Sequence, residues 1–98
     1  MSELRFEWHS SKASFNLAKH KVSFEEAKSV FYDENAILIL DPDHSQIEDR
    51  FLLLGMSSGA NFLVVCHCER DGGNTIRIIS ARKAERTERT TYLKRLKI

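Results

Sequence analysis

The sequence lacks long apolar runs and a second pair of cysteines, and each lack excludes a class of protein. Its longest strongly apolar runs, residues 36–40 and 62–66, are far shorter than the roughly 18–20 residues of a membrane span. No basic start followed by an apolar stretch is visible at the N-terminus, so no secretory signal is predicted. The two cysteines, Cys66 and Cys68, lie too close together in a predicted strand to support a disulfide framework. We therefore expect a cytoplasmic protein without a membrane span.

Several motifs of cofactor-dependent enzymes are absent as well. The chain has no Gly-rich phosphate loop, no serine-nucleophile motif and no H-E-x-x-H zinc motif. The run Cys66-His67-Cys68 resembles a metal site, but strand alternation sends the thiols and the imidazole to opposite faces. No second cysteine pair is present to complete a tetrahedral shell. The sequence therefore predicts neither a metal nor any other cofactor.

The residues that are present have an uneven charge distribution. With 98 residues, 42% hydrophobic and 30% charged, the chain is expected to form one globular domain over residues 1–98. The net charge of +1 combines two unlike parts, because residues 77–97 carry eight cations against Glu85 and Glu88. That segment has a net charge of +6, and the rest of the chain has −5. We interpret it as a candidate phosphate-binding element; the alternative is a solvated helix with scattered charges.

Apolar periodicity and turn residues divide the chain into predicted helices and strands. Ser10 or Ser11 is expected to cap a first helix that ends near His20. Ser23 and Glu26 have the spacing of a capping box, so a second helix is expected after Ser23. Strands are predicted at residues 4–8, 36–40, 50–57, 62–69 and 75–81, and a last helix at 84–96. The order β-α-α-β-β-β-β-α defines an α+β domain with helices packed on one antiparallel sheet.

Polar side chains in two neighbouring predicted strands form a candidate site. His67 and Glu69 share one face of their strand, about 7 Å apart. Alternation puts Arg77 and Arg82 on opposite faces of the next strand, so one of them is structural unless the strand ends or bulges near Ser80. A histidine, a carboxylate and an arginine suit acid–base chemistry beside a phosphate. The alternative is a structural Glu–Arg pair with His67 as a polar residue at the strand end.

Three further histidines lie outside these strands, and one of them, His9, is assigned no role. His44 is in the polar loop 41–50, where an imidazole is available to titrate near neutral pH. His20 lies at a predicted helix end, and we interpret it as a partner of the helix dipole rather than as a catalyst.

Three separated blocks of the sequence, which contain Phe6-Glu7-Trp8, Asp43-His44-Ser45 and Glu69-Arg70, resemble the BrnT family. They cover nearly the whole chain in order, which makes the resemblance specific. Two departures, His9 where the family usually has Asp and Lys21 where it usually has Gly, concern a cap and a turn. The first block is Phe6-Glu7-Trp8, Lys12, Asn16 and residues 19–27; the second is Asp43-His44-Ser45, Glu48, Arg50 and Gly55; the third is Glu69-Arg70, residues 76–84, Glu88 and Tyr92.

The resemblance implies a ribonuclease toxin with a RelE-like fold. Such a toxin cuts RNA and inhibits translation, and it is paired with a BrnA-type antitoxin that carries a ribbon-helix-helix domain. Operator DNA is then contacted only through the antitoxin. The leading alternative is a non-catalytic module that binds nucleic acid or protein. A sequence-specific DNA-binding domain is a weaker one, because no helix-turn-helix pattern is present.

RNA cleavage needs a base, a source of positive charge and an acid, since the 2′-OH of RNA itself attacks the adjacent phosphate. Arginine suits the charge, because its guanidinium is permanently cationic and bidentate. Histidine, glutamate or tyrosine suits the proton transfers. The candidates are Arg77 and Arg82 for the charge, with Arg82 favoured; His67 or Glu69 as the base; His44 or Tyr92 as the other proton carrier; and Lys83, Arg86 and Arg89 for binding the RNA backbone.

Overall fold

The structure, a computed structural model, describes residues 3–40 and 50–96 and folds them into a five-stranded sheet with three helices. This arrangement confirms the predicted α+β class. In chain order the elements are β1 (Arg5–Glu7), α1 (Ser10–His20), α2 (Phe24–Ser29), a 3₁₀ turn (Val30–Tyr32), β2 (Ile37–Leu40), β3 (Arg50–Met56), β4 (Phe62–Arg70), a second 3₁₀ turn (Asp71–Gly73), β5 (Thr75–Lys83) and α3 (Arg86–Leu96).

The sheet has the strand order β1-β5-β4-β3-β2. Strands β3, β4 and β5 form the predicted antiparallel meander, and β2 pairs antiparallel with β3. The prediction of an antiparallel sheet is wrong for β1, which lies parallel to β5 with Arg5 opposite Thr75. Parallel pairing needs a long crossover connection, and most of the chain lies between these two strands. The alternation within a three-residue strand carries no information about the direction of its partner.

A β-bulge in β5 changes which side chains share a face of the sheet. Cys66 lies opposite Ser80 and His67 lies opposite Ile78, so Ile79 is an extra residue in β5. An extra residue reverses the alternation that follows it. Arg77 and Arg82 therefore lie on the same face, and the prediction that they face opposite sides is wrong. The exception foreseen from the sequence, a bulge near Ser80, is the reason.

Helices cover both faces of the sheet. The larger apolar cluster lies under α1 and α2, on what we call the α1/α2 face. A smaller cluster lies under α3, on the α3 face, where the Phe62 and Tyr92 ring centroids are 5.6 Å apart. Burying each large apolar side chain contributes about 1.5–3 kcal/mol. The larger cluster comprises Val22, Phe24, Ala27, Val30, Leu53, Leu63, Val65, Ile76, Ile78 and Ala81, and the smaller one Leu54, Val64, Ala84 and Tyr92.

The ends of α1 differ from the sequence prediction. The N-cap is His9, with extended backbone and no side-chain cap bond, whereas Ser10 is already helical. The predicted serine cap is therefore wrong. After His20, Lys21 adopts a left-handed conformation (φ 61°), and its N–H donates to the Leu17 carbonyl at 3.0 Å. Glycine takes this conformation without strain, which explains why the resembled family usually has glycine there.

The capping box of α2 is half formed. Ser23 Oγ accepts a hydrogen bond from the Glu26 N–H at 3.0 Å, which confirms the predicted start of the helix. The reciprocal bond is absent from the described contacts, because the Glu26 carboxylate accepts from Ser57 Oγ at 2.5 Å and Asn61 Nδ2 at 2.7 Å. These two bonds hold the pKa of Glu26 below its usual value. They tie α2 to the turn between β3 and β4.

Asn16 fastens α1 to the outer edge of β5. Its buried amide donates to the Ala81 carbonyl at 2.8 Å and to the Val22 carbonyl at 2.9 Å. The Ala81 N–H in turn donates to Asn16 Oδ1 at 3.0 Å. β1 pairs with β5 only as far as Arg77, so the edge beyond that residue has no strand beside it in the described part of the chain. The amide takes the place of a strand at this position.

Candidate functional site

His67 lies in the core and not at an open site. Its ring is 0% exposed and lies between Phe31 and Phe51, with centroid distances of 4.8 and 5.7 Å. Nδ1 is 3.4 Å from the Val65 carbonyl, and Nε2 is 3.6 Å from a carboxylate oxygen of Glu69. Burial lowers the pKa of His67, and the Val65 carbonyl and Glu69 offset this only in part. The imidazole is therefore neutral at pH 7 and shielded from solvent.

The predicted grouping of His67 and Glu69 with the two arginines is wrong. Because of the bulge, Arg77 and Arg82 lie on the α3 face, whereas His67 lies on the α1/α2 face. Arg77 is held at the sheet edge by Glu7, with Nη1 and Oε2 3.0 Å apart. The alternative interpretation predicted a structural Glu–Arg pair. Arg77 forms such a pair, but with Glu7 and not with Glu69.

Tyr92 lies in the smaller cluster and bonds to the body of the protein. Its hydroxyl donates to Asp33 Oδ2 at 2.6 Å, and the same oxygen accepts from the Met56 N–H at 2.8 Å. Burial and the Asp33 carboxylate raise the pKa of Tyr92 to about 12. A buried phenol with this pKa is a poor proton donor at neutral pH, so the structure gives Tyr92 a packing role.

A cationic groove runs along the uncovered edge of β5, where α1 crosses it. It consists of two adjoining hollows of about 440 and 460 Å³ that share Lys19 and His20. Among the predicted site residues, Glu69 lies near the end of β4, whereas His44 lies outside the described residues. We call this the α1–β5 groove, and its principal side chains are Lys12, Phe15, Lys19 and His20 of α1, Ile79, Ser80, Arg82 and Lys83 of β5, and Glu85, which follows β5.

Helix geometry explains the part of the groove that comes from α1. Lys12, Phe15 and Lys19 follow one another at intervals of three and four residues, so they lie on one side of the helix. His20 is in the last turn, half-buried, where the helix meets the β5 edge. The sequence interpretation of His20 as a dipole partner missed this position. The sequence contained one indication that these residues act together, because Lys19-His20 and Arg82-Lys83 both belong to the blocks that resemble one family.

Arg82 reaches the groove in a fixed orientation. Its Nη1 and Nη2 donate to the two carboxylate oxygens of Glu88 at 2.8 and 2.9 Å. Glu88 also accepts from the Glu85 N–H at 2.8 Å, which caps the start of α3. The hydrogen bond between the two side chains raises the pKa of Arg82 and lowers that of Glu88. The guanidinium side chain is 38% exposed, so it is both oriented and accessible.

The predicted RNA-contacting cations continue from the groove onto α3. Lys83 lines both the α1–β5 groove and a smaller hollow of about 160 Å³ that also includes Arg89. Arg89 Nη1 donates to the Ala84 carbonyl at 3.0 Å. Arg86 is exposed in the first turn of α3. A larger hollow of about 490 Å³, beside Arg5 and Asp71, has acidic and amide groups and no similar concentration of cations.

Within residues 3–40 and 50–96, no group of three or more His, Cys, Asp or Glu side chains is placed to hold a metal ion. Cys66 and Cys68 lie opposite Ser80 and Arg77, on the α3 face, and so point away from His67 as alternation predicted. In the same part of the chain, none of the helices has both the length and the apolarity to cross a membrane.

The fold and the groove define a small α+β protein with a cationic cleft between a helix and a sheet edge. A family model described as the ribonuclease toxin BrnT of type II toxin–antitoxin systems matches residues 8–88. The chain belongs to this family, which confirms the resemblance found in the sequence. Comparison with curated proteins gave no match.

A solved structure agrees with the fold. The crystal structure of the Brucella abortus ribonuclease toxin BrnT matches with a TM-score of 0.60 and 20% sequence identity. The match covers 88% of this chain and 100% of that chain. At this identity the likeness supports the fold alone, and the RelE-like label stays a prediction.

Proposed function

We propose that this protein is a cytoplasmic endoribonuclease toxin that cleaves RNA in the α1–β5 groove. The observation that carries the proposal is the convergence of Lys12, Lys19 and His20 with Arg82 and Lys83 from the other end of the chain. A polyanionic substrate needs such a concentration of cations. We further propose, as the family resemblance implies, that it inhibits translation, that a BrnA-type ribbon-helix-helix antitoxin neutralises it, and that it contacts operator DNA only through that antitoxin.

The groove supplies the groups that the reaction requires. The 2′-OH of RNA attacks the adjacent phosphate, and the 5′-oxygen leaves with a proton. Arg82 faces the developing negative charge with a guanidinium whose orientation Glu88 fixes, so little reorganisation is needed. Lys19 adds a second cation from α1. His20 takes the proton of the 2′-OH and delivers it to the leaving 5′-oxygen, since an imidazole carries both an acceptor and a donor nitrogen.

The other candidates are less suited to these roles. His67 is 0% exposed and Tyr92 is 2% exposed, so RNA does not reach them without unfolding. Arg77 is paired with Glu7 beside β1, outside the groove. Lys83, Arg86 and Arg89 extend the cationic surface toward α3, where they bind phosphates of the same strand. His44 stays a candidate from the sequence.

The test compares two histidines at the two ends of α1. His20→Ala is expected to lower the cleavage rate by about 10²–10³, within the range for losing a general acid or base. His9→Ala is the matched control, because His9 is exposed at the other end of the same helix and makes no side-chain cap bond. Rates are measured on single-stranded RNA with and without EDTA, and the products are examined for 2′,3′-cyclic phosphate ends.

Three outcomes contradict the proposal. If His20→Ala folds and cleaves RNA at the parent rate, the groove is not the active site. If EDTA abolishes cleavage and a divalent ion restores it, the metal-independent reaction is wrong. If the parent protein binds RNA, does not cleave it and leaves bacterial growth unaffected when expressed alone, the protein is a binding module.

A further inference from the structure

Phe15 differs from every other phenylalanine of the chain in its surroundings. The other five each lie against another aromatic or imidazole ring, at centroid distances of 4.8–6.2 Å. Phe15 has no such ring contact among the described residues and is 67% exposed. It lies on the wall of the α1–β5 groove, opposite the bulge residues Ile79 and Ser80. A large apolar ring thus faces solvent in a hollow that it shares with Lys12, Lys19 and His20.

Two lysines flank this ring on the same side of α1. Lys19 Nζ is 5.7 Å from the Phe15 ring centroid, within the range of a cation–π contact. Lys12 lies one turn earlier and lines the same hollow. The Phe15 residue is 67% exposed despite the lysine, so a second flat group has room to stack on its ring.

We propose that Phe15 is a stacking platform for one unpaired RNA base, with Lys12 and Lys19 holding the phosphates on either side of that nucleotide. This inference rests on the proposed function and adds a substrate preference to it. Single-strand binders combine an aromatic ring for the base with cations for the backbone, and the stack tolerates any base because each has a π-face. Bases inside a duplex stack on one another, so the platform selects single-stranded over double-stranded RNA.

The position of the ring fits a nucleotide next to the reacting phosphate. Phe15 and His20 are five residues apart on α1, which corresponds to about 7.5 Å along the helix axis. Both line the hollow that contains Ile79 and Ser80. An apolar protein surface fits the Phe15 ring less well than an RNA base does, because the side chains beside the ring include two lysines. Leu17, the other large exposed apolar side chain of α1, instead lines a separate hollow with Trp8 and Phe24.

The experiment separates base stacking from charge. The probe is a 2′-O-methyl RNA of about eight nucleotides, within the site sizes of single-strand binders. It has no nucleophile and is not cleaved. A second probe of the same length lacks the bases, and a third is the duplex. Affinity is measured by fluorescence anisotropy at two salt concentrations.

Phe15→Ala is expected to weaken binding of the base-bearing strand about tenfold, within the range for losing one base–aromatic stack. Binding of the abasic strand stays unchanged, and Phe15→Tyr keeps the parent affinity. Leu17→Ala is the matched control and changes neither. Lys19→Gln is expected to weaken both strands and to reduce the salt dependence by about one charge.

The proposal is overturned if Phe15→Ala binds the base-bearing strand as tightly as the parent, or loses the same affinity for the abasic strand. It is also overturned if that variant binds RNA normally but escapes neutralisation by the antitoxin, which would make the ring part of a protein interface. Because the probes are not cleavable, these results do not depend on whether the protein is a ribonuclease. If the parent protein cleaves no RNA, the proposed function is wrong. The binding measurements still decide whether Phe15 stacks on a base.

Discussion

Two histidines, His67 and His20, occupy opposite kinds of surroundings in this small protein. His67 has a carboxylate 3.6 Å away, but it is enclosed by two phenylalanine rings and is 0% exposed. His20 lies at the end of α1 in an open groove, in a hollow that it shares with Lys19, Arg82, Lys83 and Glu85. The histidine with a carboxylate nearby, His67, is thus part of the packed core. The histidine with cations nearby, His20, is at an accessible surface. For a polyanionic substrate, access and positive charge decide which of the two can react.

Arginines provide the sharpest test of this comparison and the largest expected effect. Arg82 and Arg77 lie on the same face of the same strand, each paired with a glutamate, but only Arg82 lines the groove. Arg82→Ala is expected to lower the rate at saturating RNA by about 10²–10³, the scale for losing one pre-organised electrostatic donor. Arg77→Ala, as the matched control, is expected to keep the parent rate.

The rates are measured by single turnover, with circular dichroism of each variant. Arg82→Lys tests the fixed orientation, because it keeps the charge but cannot bind Glu88 through two parallel bonds. If both alanine variants fold and lose the same activity, the distinction between the groove and the rest of the sheet fails.

Asn16 tests whether the groove depends on the contact between α1 and the β5 edge. In Asn16→Ala the Ala81 N–H and the carbonyls of Ala81 and Val22 lose this partner in a buried site. At about 1–3 kcal/mol for each unsatisfied group, the free energy of unfolding should fall by about 3 kcal/mol. Urea denaturation measures the change, and Ser14→Ala on the exposed side of α1 is the control. An unchanged midpoint for Asn16→Ala would show that the amide does not hold α1 in place.

Much of the fold followed from local patterns. The bounds of β4 and β5, the start of α2 at Ser23 and the α+β class all rest on short-range periodicity and turn residues. The direction of β1 could not be predicted from local patterns, because it depends on a partner strand about 70 residues away. The sequence also had no means to place the bulge at Ile79, although its effect on the faces of Arg77 and Arg82 was foreseeable.

The candidate site was harder to predict because it forms between distant segments. His67 and Glu69 were predicted as site residues from their spacing within one strand. That spacing does not show that Phe31 and Phe51 bury the His67 ring. Lys19 and His20 meet Arg82 only because β1 ends at Glu7 and leaves the rest of the β5 edge to α1. Arg82 itself was favoured from the sequence, and its role stays a prediction.

The smallest expected effect concerns the pH dependence of stability at His67. Burial lowers the pKa of this imidazole in the folded protein, so below its unfolded value of 6.5 the unfolded chain binds a proton that the folded chain does not. The free energy of unfolding should therefore decrease as the pH falls below 6.5, by at most about 1.4 kcal/mol per pH unit for one proton. Above that pH both states are neutral at this residue, and it contributes no slope.

His67→Leu removes the titrating group and keeps an apolar side chain between Phe31 and Phe51, so its slope between pH 7 and pH 5 should be shallower than that of the parent. Urea denaturation at each pH gives the two slopes. The comparison of the two histidines predicts that His67 governs the pH dependence of stability and that His20 governs the cleavage rate. Equal slopes in His67→Leu and the parent would mean that the His67 imidazole is protonated in the folded core, and the contrast between the two sites would be lost.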